Sequence, residues 1–135
     1  MKSIYSFFAA TLCALSALFG QAPAIQWQNT IGGNFDDYPF SLQQTADGGY
    51  IFGGYSNSTI SGDKTENSLW GLADDWVVKL DSTGTIQWQN TIGGNGYDYI
   101  NAIQQTADGG YILGGFSASD ISGDKTENSL GQDDY

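Results

Sequence analysis

Carboxylates in one polar loop are the side chains of this sequence best suited to bind a metal ion. The loop spans residues 56–75 and carries four of them, Asp63, Glu66, Asp74 and Asp75. Calcium takes about six to eight oxygen ligands, which carboxylates, carbonyls and hydroxyls supply. The spacing differs from that of an EF-hand loop, and Lys64 puts a positive charge between the acidic residues. Two interpretations stay open, a calcium site formed by these four residues and a solvated loop rich in Asx turns.

Adjacent carboxylates are the groups in the chain that could act as a catalytic pair. They occur at 36–37, 74–75 and 133–134, and a glycosidase needs two carboxylates across a sugar-binding cleft. Neighbouring residues of a strand point to opposite faces, so each pair is poorly placed to share one site. The sequence contains no histidine and no arginine, which excludes Ser-His-Asp hydrolysis, Cys/His zinc sites and bidentate arginine clamps in this chain. We predict no catalytic residue and no cofactor other than calcium.

Tryptophans are the candidates for contact with a ligand, because aromatic rings stack on sugars. Trp27, Trp76 and Trp88 fall in segments of alternating hydrophobicity and are predicted to be core residues. Trp70 lies instead in the long polar loop, and no tryptophan follows Leu130 in the second copy of that loop. Trp70 is therefore the predicted ligand contact.

An excess of acidic side chains limits the classes of partner. The chain has four basic and fifteen acidic side chains and a net charge of −11 at pH 7. Such a surface repels the phosphates of nucleic acids and the headgroups of anionic membranes. We predict that the protein binds no nucleic acid and that its ligand is an unidentified protein or glycan.

The elements that must position these residues are short β-strands. Residues 25–31 alternate between apolar and polar side chains, as a half-buried strand does. Residues 40–44 and 50–55 flank an Asp-Gly-Gly turn and predict a hairpin. Residues 76–80 are rich in β-branched and aromatic side chains and are followed by a turn into residues 86–88. No segment has a sustained helical period.

The chain repeats itself 61 residues later. Residues 25–34 recur unchanged as 86–95, and the same offset superposes 43–51 on 104–112 and 60–69 on 121–130. Each unit supplies about four strands, which predicts an all-β fold of tandem four-stranded antiparallel blade-like repeats of the β-propeller type. A β-solenoid or another arrangement of stacked sheets is the alternative.

The second copy ends at residues 133–135, where its last strand should begin. Two blades cannot close a ring, because propellers use about four to eight. We therefore predict an incomplete ring in a fragment of a longer chain. Its edges would meet further blades of that longer protein, or another copy of this chain through self-association.

The repeated segments resemble a family of exported proteins. The segments IQWQNTIGG, QQTADGGYI and DDWVVKLDSTG look like the tandem repeats of large exported Bacteroidetes proteins, and the resemblance covers nearly all of residues 25–135. Many members end in a type IX secretion sorting domain and have propeller-like architecture. The resemblance implies architecture and export rather than an activity, and this chain carries no sorting domain.

The amino terminus has the layout of a secretory signal peptide. A short basic start precedes an apolar run over residues 4–19, and small residues follow up to Ala24. We predict a signal peptide at 1–24, a first repeat at 25–85 and a truncated second repeat at 86–135. Cleavage would leave no membrane insertion and no cysteine, because Cys13 is the only one. A retained membrane anchor and a lipid-anchored Cys13 are the alternatives.

These inferences combine into one functional hypothesis and one alternative. The first is a non-enzymatic binding or scaffold module of an exported bacterial repeat protein, secreted or on the cell surface. The alternative is a blade pair of an exported polysaccharide-acting enzyme whose catalytic residues lie outside this chain.

Overall fold

The computed structural model describes residues 23–131 and 134. These residues form six β-strands, β1 Asp37–Gln44, β2 Tyr50–Ser56, β3 Asp74–Leu80, β4 Ile86–Ile92, β5 Asp98–Gln105 and β6 Tyr111–Ser117, and one short 3-10 turn at Leu69–Gly71. The predicted all-β fold is confirmed for this part of the chain. Within it, no helix is long and apolar enough to cross a membrane. Residues 1–22 of the predicted signal peptide lie outside the described residues.

The strands form two antiparallel sheets. The first sheet has four strands in the order β1-β2-β3-β4, and the second pairs β5 with β6. The predicted hairpin between β1 and β2 is confirmed: the Thr45 N–H donates to Gly49 O at 2.9 Å, and Gly48 takes a φ of 81° in the turn. The β3–β4 turn is held by Asp81, whose carboxylate accepts hydrogen bonds from the N–H groups of Thr83 and Thr85.

The prediction of a strand at residues 25–31 is wrong. The identical sequence at Ile86–Ile92 forms β4 because β3 lies beside it as a partner. Among the described residues, no strand precedes residues 25–31 that could pair with them, and they form no part of a sheet. They pack against the first sheet instead, with Trp27 edge-on to Tyr50 at 5.6 Å and the Asn29 amide donating to Gly84 O at 3.1 Å.

Within the described residues, the second copy contains β4, β5 and β6, and an isolated bridge follows at Asp134. Ser117 and Asp134 make an antiparallel bridge, as Ser56 and Asp74 do where β2 pairs with β3. Asp134, rather than Asp133, therefore takes the place of Asp74, so the polar loop of the second copy is one residue shorter. The acidic pairs at 74–75 and 133–134 would align Asp74 with Asp133, so the structure differs from that alignment by one residue.

Two apolar clusters lie on the opposite faces of the first sheet. The face that packs on the second sheet, here called the inner face, buries Ile51 and Val77 against Ile100 and Ile103. The opposite face, here called the outer face, buries Trp76, Val78 and Leu80. Hydrogen bonds also join the sheets, because the Ser41 hydroxyl and the Gln43 amide accept from the N–H groups of Ile103 and Gln105.

The tryptophan predictions are confirmed in part. Trp76 is 4% exposed and belongs to the core, as expected. Trp27 and Trp88 are 37% and 40% exposed, so their assignment to the core is wrong. Each lies edge-on to a tyrosine at the end of a neighbouring strand, Tyr50 and Tyr111 respectively. Alternation predicted burial for both rings, but a ring that packs edge-on against a single tyrosine stays partly open to solvent.

Candidate binding surface

Six aromatic side chains form a continuous row across the two sheets. Antiparallel pairing places Tyr38 opposite Tyr55 in the first sheet and Tyr99 opposite Phe116 in the second. Cross-strand neighbours on one face lie close enough for their rings to touch, and these pairs are 5.1 Å and 4.8 Å apart. Tyr55 and Tyr99 then meet perpendicularly between the sheets at 4.5 Å. Sheet pairing and sheet stacking together therefore build the row.

Two further rings extend this aromatic row. Tyr97 stacks on Tyr99 with the ring planes 17° apart, and Phe40, at the bulge in β1, lies 5.7 Å from Tyr55. Tyr38, Phe40 and Tyr97 are 47%, 52% and 48% exposed, whereas the central rings are half-buried. Burial, with neighbouring tyrosines, raises the pKa values of Tyr55 and Tyr99, so both hydroxyls stay protonated hydrogen-bond donors at neutral pH.

An apolar groove of about 410 Å³ opens beside the row on the outer face. Tyr38, Phe40 and Tyr55 line one side, and Trp27, Leu42, Phe52, Trp76 and Leu80 are among the residues that complete it. Leu42 is 68% exposed, so the groove presents a large apolar surface to solvent. We call it the outer groove.

Trp70, the predicted ligand contact, is exposed but lies apart from the row. Its side chain is 62% exposed, and no aromatic pair of the described residues includes it. Its φ is 51°, a left-handed backbone conformation that residues other than glycine rarely adopt. An exposed ring on such backbone is compatible with a contact role. The structure does not bring Trp70 into the groove.

Two of the predicted calcium ligands instead hold the polar loop to the backbone around it. The Asp63 carboxylate accepts from the Gly32 N–H at 3.2 Å, and the Glu66 carboxylate accepts from the Thr91 N–H at 2.6 Å. Asp124 accepts from the Gly93 N–H in the second copy, as Asp63 does from Gly32 in the first. These carboxylates have a structural use that needs no metal ion.

The other two predicted ligands, Asp74 and Asp75, are adjacent in β3 and largely buried. Asp74 accepts from the Leu69 N–H, while one oxygen of Asp74 and one of Asp75 have no protein partner. Burial is the main cause that raises the pKa of Asp74 to about 7 and that of Asp75 to about 8, and the nearby charge of Asp98 raises both further. At neutral pH these carboxyls are partly protonated.

The structure does not gather the four predicted calcium ligands into one shell. Over residues 23–131 and 134, no group of three or more His, Cys, Asp or Glu side chains is placed to hold a metal ion. The calcium site stays a prediction. A rise in the melting temperature on adding millimolar calcium would support it.

Lys64 is a buried residue whose importance the sequence analysis missed. It is 1% exposed, its ammonium donates to the Thr91 hydroxyl at 3.0 Å, and it lies 5.3 Å from the centre of the Trp76 ring. Burial lowers its pKa, while the nearby carboxylates of Asp37, Asp74 and Glu66 oppose that shift. The lysine thus supplies positive charge inside the loop. Its recurrence as Lys125 was the signal that could have identified it.

The aromatic row also escaped the sequence analysis, because its members are far apart in the chain. Comparison with known proteins does not add a relative: no family model matches the chain, and no curated protein matches it. The residues themselves therefore carry the functional argument.

Proposed function

We propose that this chain is a non-enzymatic binding or scaffold module of an exported bacterial repeat protein, with units that stack as propeller-type blades. The face-to-face packing of the two sheets supports the blade-like stacking. The resemblance of the repeats to exported Bacteroidetes proteins supports secretion or display on the cell surface. The observation that carries the binding role is the aromatic row, with three exposed rings on two adjoining sheets.

A neutral glycan is the ligand that fits this surface best. Aromatic rings offer flat apolar area at low conformational cost, and tyrosine adds a hydroxyl for hydrogen bonds to the ligand. The net charge of −11 disfavours anionic polysaccharides as well as nucleic acids. A protein ligand that inserts apolar side chains into the outer groove is the alternative, because the groove is lined mainly by aromatic and aliphatic residues.

Binding of neutral oligosaccharides tests the proposal. A glycan array identifies a ligand, and calorimetry then compares the wild type with Tyr97→Ala, Tyr97→Phe and Ile121→Ala. Losing an exposed stacked ring should weaken binding roughly fivefold, since one aromatic contact contributes about 1 kcal/mol. Tyr97→Phe retains the ring and should bind within a few-fold of the wild type.

Ile121→Ala is the matched control, because Ile121 is 61% exposed and lies outside the row. Unchanged binding by Tyr97→Ala would rule out the row as the glycan site. If the array shows no glycan binding but a protein ligand is captured and lost on Leu42→Asp, the protein alternative is supported.

A further inference from the structure

The two sheets have inner faces of nearly the same sequence, but among the described residues only the face of the first sheet is covered by another sheet. In the first sheet, Ile51 is fully buried, and a side chain at Gly53 would meet Ile100 at 3.5 Å and Ile103 at 3.8 Å. Sixty-one residues later, Ile112 is 60% exposed and Gly114 has open space beside it. The inner face of the second sheet is therefore an uncovered copy of a surface that packs tightly elsewhere in the molecule.

The outer faces show the reverse pattern. In the second sheet, Ile100 and Ile103 are 1% and 6% exposed because they pack on the first sheet. The same positions in the first sheet are Pro39, which is exposed, and Leu42, which is 68% exposed. The part of the chain that the structure describes thus presents one free inner face and one free outer face, the two kinds of surface that pack together between its own sheets.

From this complementarity we propose that a second copy of the chain docks head to tail. The outer groove of one copy packs on the second sheet of the next and repeats the packing found within each chain. The proposal rests on the blade-like stacking proposed above but needs no ligand. A head-to-tail contact of this kind forms a ring if its rotation closes.

Polar contacts between the sheets have counterparts for this docking. Within the chain, the Gln43 amide accepts from the Gln105 N–H, and the Gln105 amide accepts from the Ala46 N–H. The equivalent residues, Gln104, Gln44 and Ala107, keep their types. The hydroxyl of Ser41 has no counterpart, because alanine stands at position 102. We expect the contact between copies to be weaker than the contact within the chain.

The unpaired amino-terminal segment also fits this arrangement. Residues 25–31 lie against the first sheet as β4 lies against the second, with Trp27 5.6 Å from Tyr50 and Trp88 5.7 Å from Tyr111. β4 belongs to the first sheet, which covers the outer face of the second sheet. By analogy, residues 25–31 lie where they could pair with the sheet that covers the outer face of the first sheet. In the proposed assembly that sheet is the second sheet of the neighbouring copy.

The mass of the exported protein tests the proposal. The full chain is expressed with export, purified, and measured by light scattering and sedimentation across the micromolar range of concentration. The wild type should shift to whole multiples of the monomer mass as concentration rises. Leu42→Asp charges the outer groove and Gly114→Arg fills the free inner face, so each variant alone should remain a monomer.

Mixing the two variants separates head-to-tail docking from other contacts. Leu42→Asp retains an intact inner face and Gly114→Arg an intact outer groove, so a one-to-one mixture should double in mass. Both sites are exposed, and circular dichroism verifies that each variant is folded. Ile121→Asp, on an exposed loop residue, should assemble like the wild type.

Three results would overturn the proposal. The first is a wild type that is a monomer at every concentration, whether its groove is open or covered by another segment of the chain. The second is assembly by Gly114→Arg alone, which would show like faces pairing symmetrically. The third is a mixture that stays monomeric although the wild type assembles. Tyr38, Phe40 and Tyr55 belong both to the aromatic row and to the outer groove, so glycan binding is measured separately, at protein concentrations where the copies are dissociated.

Discussion

Ile51 and Ile112 occupy the same place in two hairpins of nearly identical sequence, yet Ile51 is fully buried and Ile112 is 60% exposed. The local strand pairing is the same at both positions, since each residue lies in the second strand of its hairpin. The difference comes from the neighbouring sheet, which covers Ile51, whereas no sheet formed by residues 23–131 covers Ile112. In this molecule the sequence of a repeat determines where its strands form, and the sheet that packs on it determines which of its side chains are buried.

Truncating these two isoleucines should give the largest difference between the sheets. Ile51→Ala leaves a cavity and should lower the free energy of unfolding by about 3 kcal/mol. Ile112→Ala removes exposed surface and should change it by less than about 0.5 kcal/mol. Chemical denaturation at low protein concentration, where copies are dissociated, measures both values. Equal losses would contradict the assignment of the core to the contact between sheets.

Replacing the buried loop lysine, Lys64, should likewise destabilise the protein more than replacing its counterpart Lys125. Lys64→Met keeps the apolar stem but removes the charge facing buried carboxylates, and should cost about 2 kcal/mol of unfolding free energy. Lys125 is half-buried and donates to the hydroxyls of Ser117 and Ser129. Lys125→Met should therefore lower the unfolding free energy by less than about 1 kcal/mol. Similar losses of unfolding free energy in urea denaturation would mean that the burial of Lys64 contributes no additional stability.

The buried carboxyls predict a loss of stability as pH rises. Burial raises the folded-state pKa values of Asp74 and Asp75 to about 7 and about 8, so the folded protein holds protons that the unfolded chain releases near pH 4. Their contribution is full below about pH 4 and is lost as pH rises through about 7 to 8. The melting temperature should therefore fall by a few degrees between about pH 5 and about pH 8.

The equivalent aspartate of the second copy provides the control for this pH effect. Asp74→Asn should reduce the fall in melting temperature, because it removes one of the two buried titrations. Asp134→Asn, at the matching bridge to Ser117, leaves both titrations in place and should preserve the fall. A melting temperature that rises from about pH 5 to about pH 8 would reverse the expected sign.

The smallest effect is expected where the loops differ in sequence. Trp70, with its φ of 51°, has no tryptophan counterpart after Leu130 in the second copy. Trp70→Gly relieves left-handed backbone strain and should raise the unfolding free energy by less than about 1 kcal/mol. Thermal denaturation measures the gain. A loss above that size would show that the ring supports the loop, and weaker glycan binding would confirm the predicted contact.

Local signals in the sequence predicted much of the fold. Turn residues such as Gly48 and alternating apolar side chains located both hairpins of the first sheet, and Trp76 was correctly assigned to the core. The same signals failed for residues 25–31, because a strand also needs a partner to pair with, and no alternation pattern encodes one.

The candidate site was less predictable for a related reason. Tyr55 and Tyr99 are 44 residues apart in sequence and meet only because two sheets stack. Lys64 appeared to be a loop charge, and its burial depends on Trp76 and Thr91 from the first sheet. Trp70 was correctly expected to be exposed, since its loop has no apolar period.

β4 carries a consequence for how such a chain can be cut. This strand belongs by sequence to the second copy, yet it completes the first sheet by pairing with β3. The unit that was duplicated and the unit that folds are therefore out of phase by one strand. A break at the repeat boundary after residue 85 would take an edge strand from one sheet, whereas a break after residue 92 would leave that sheet whole. The second repeat thus contributes its first strand to the sheet of the first repeat, so the two repeats are joined by strand pairing as well as by the chain.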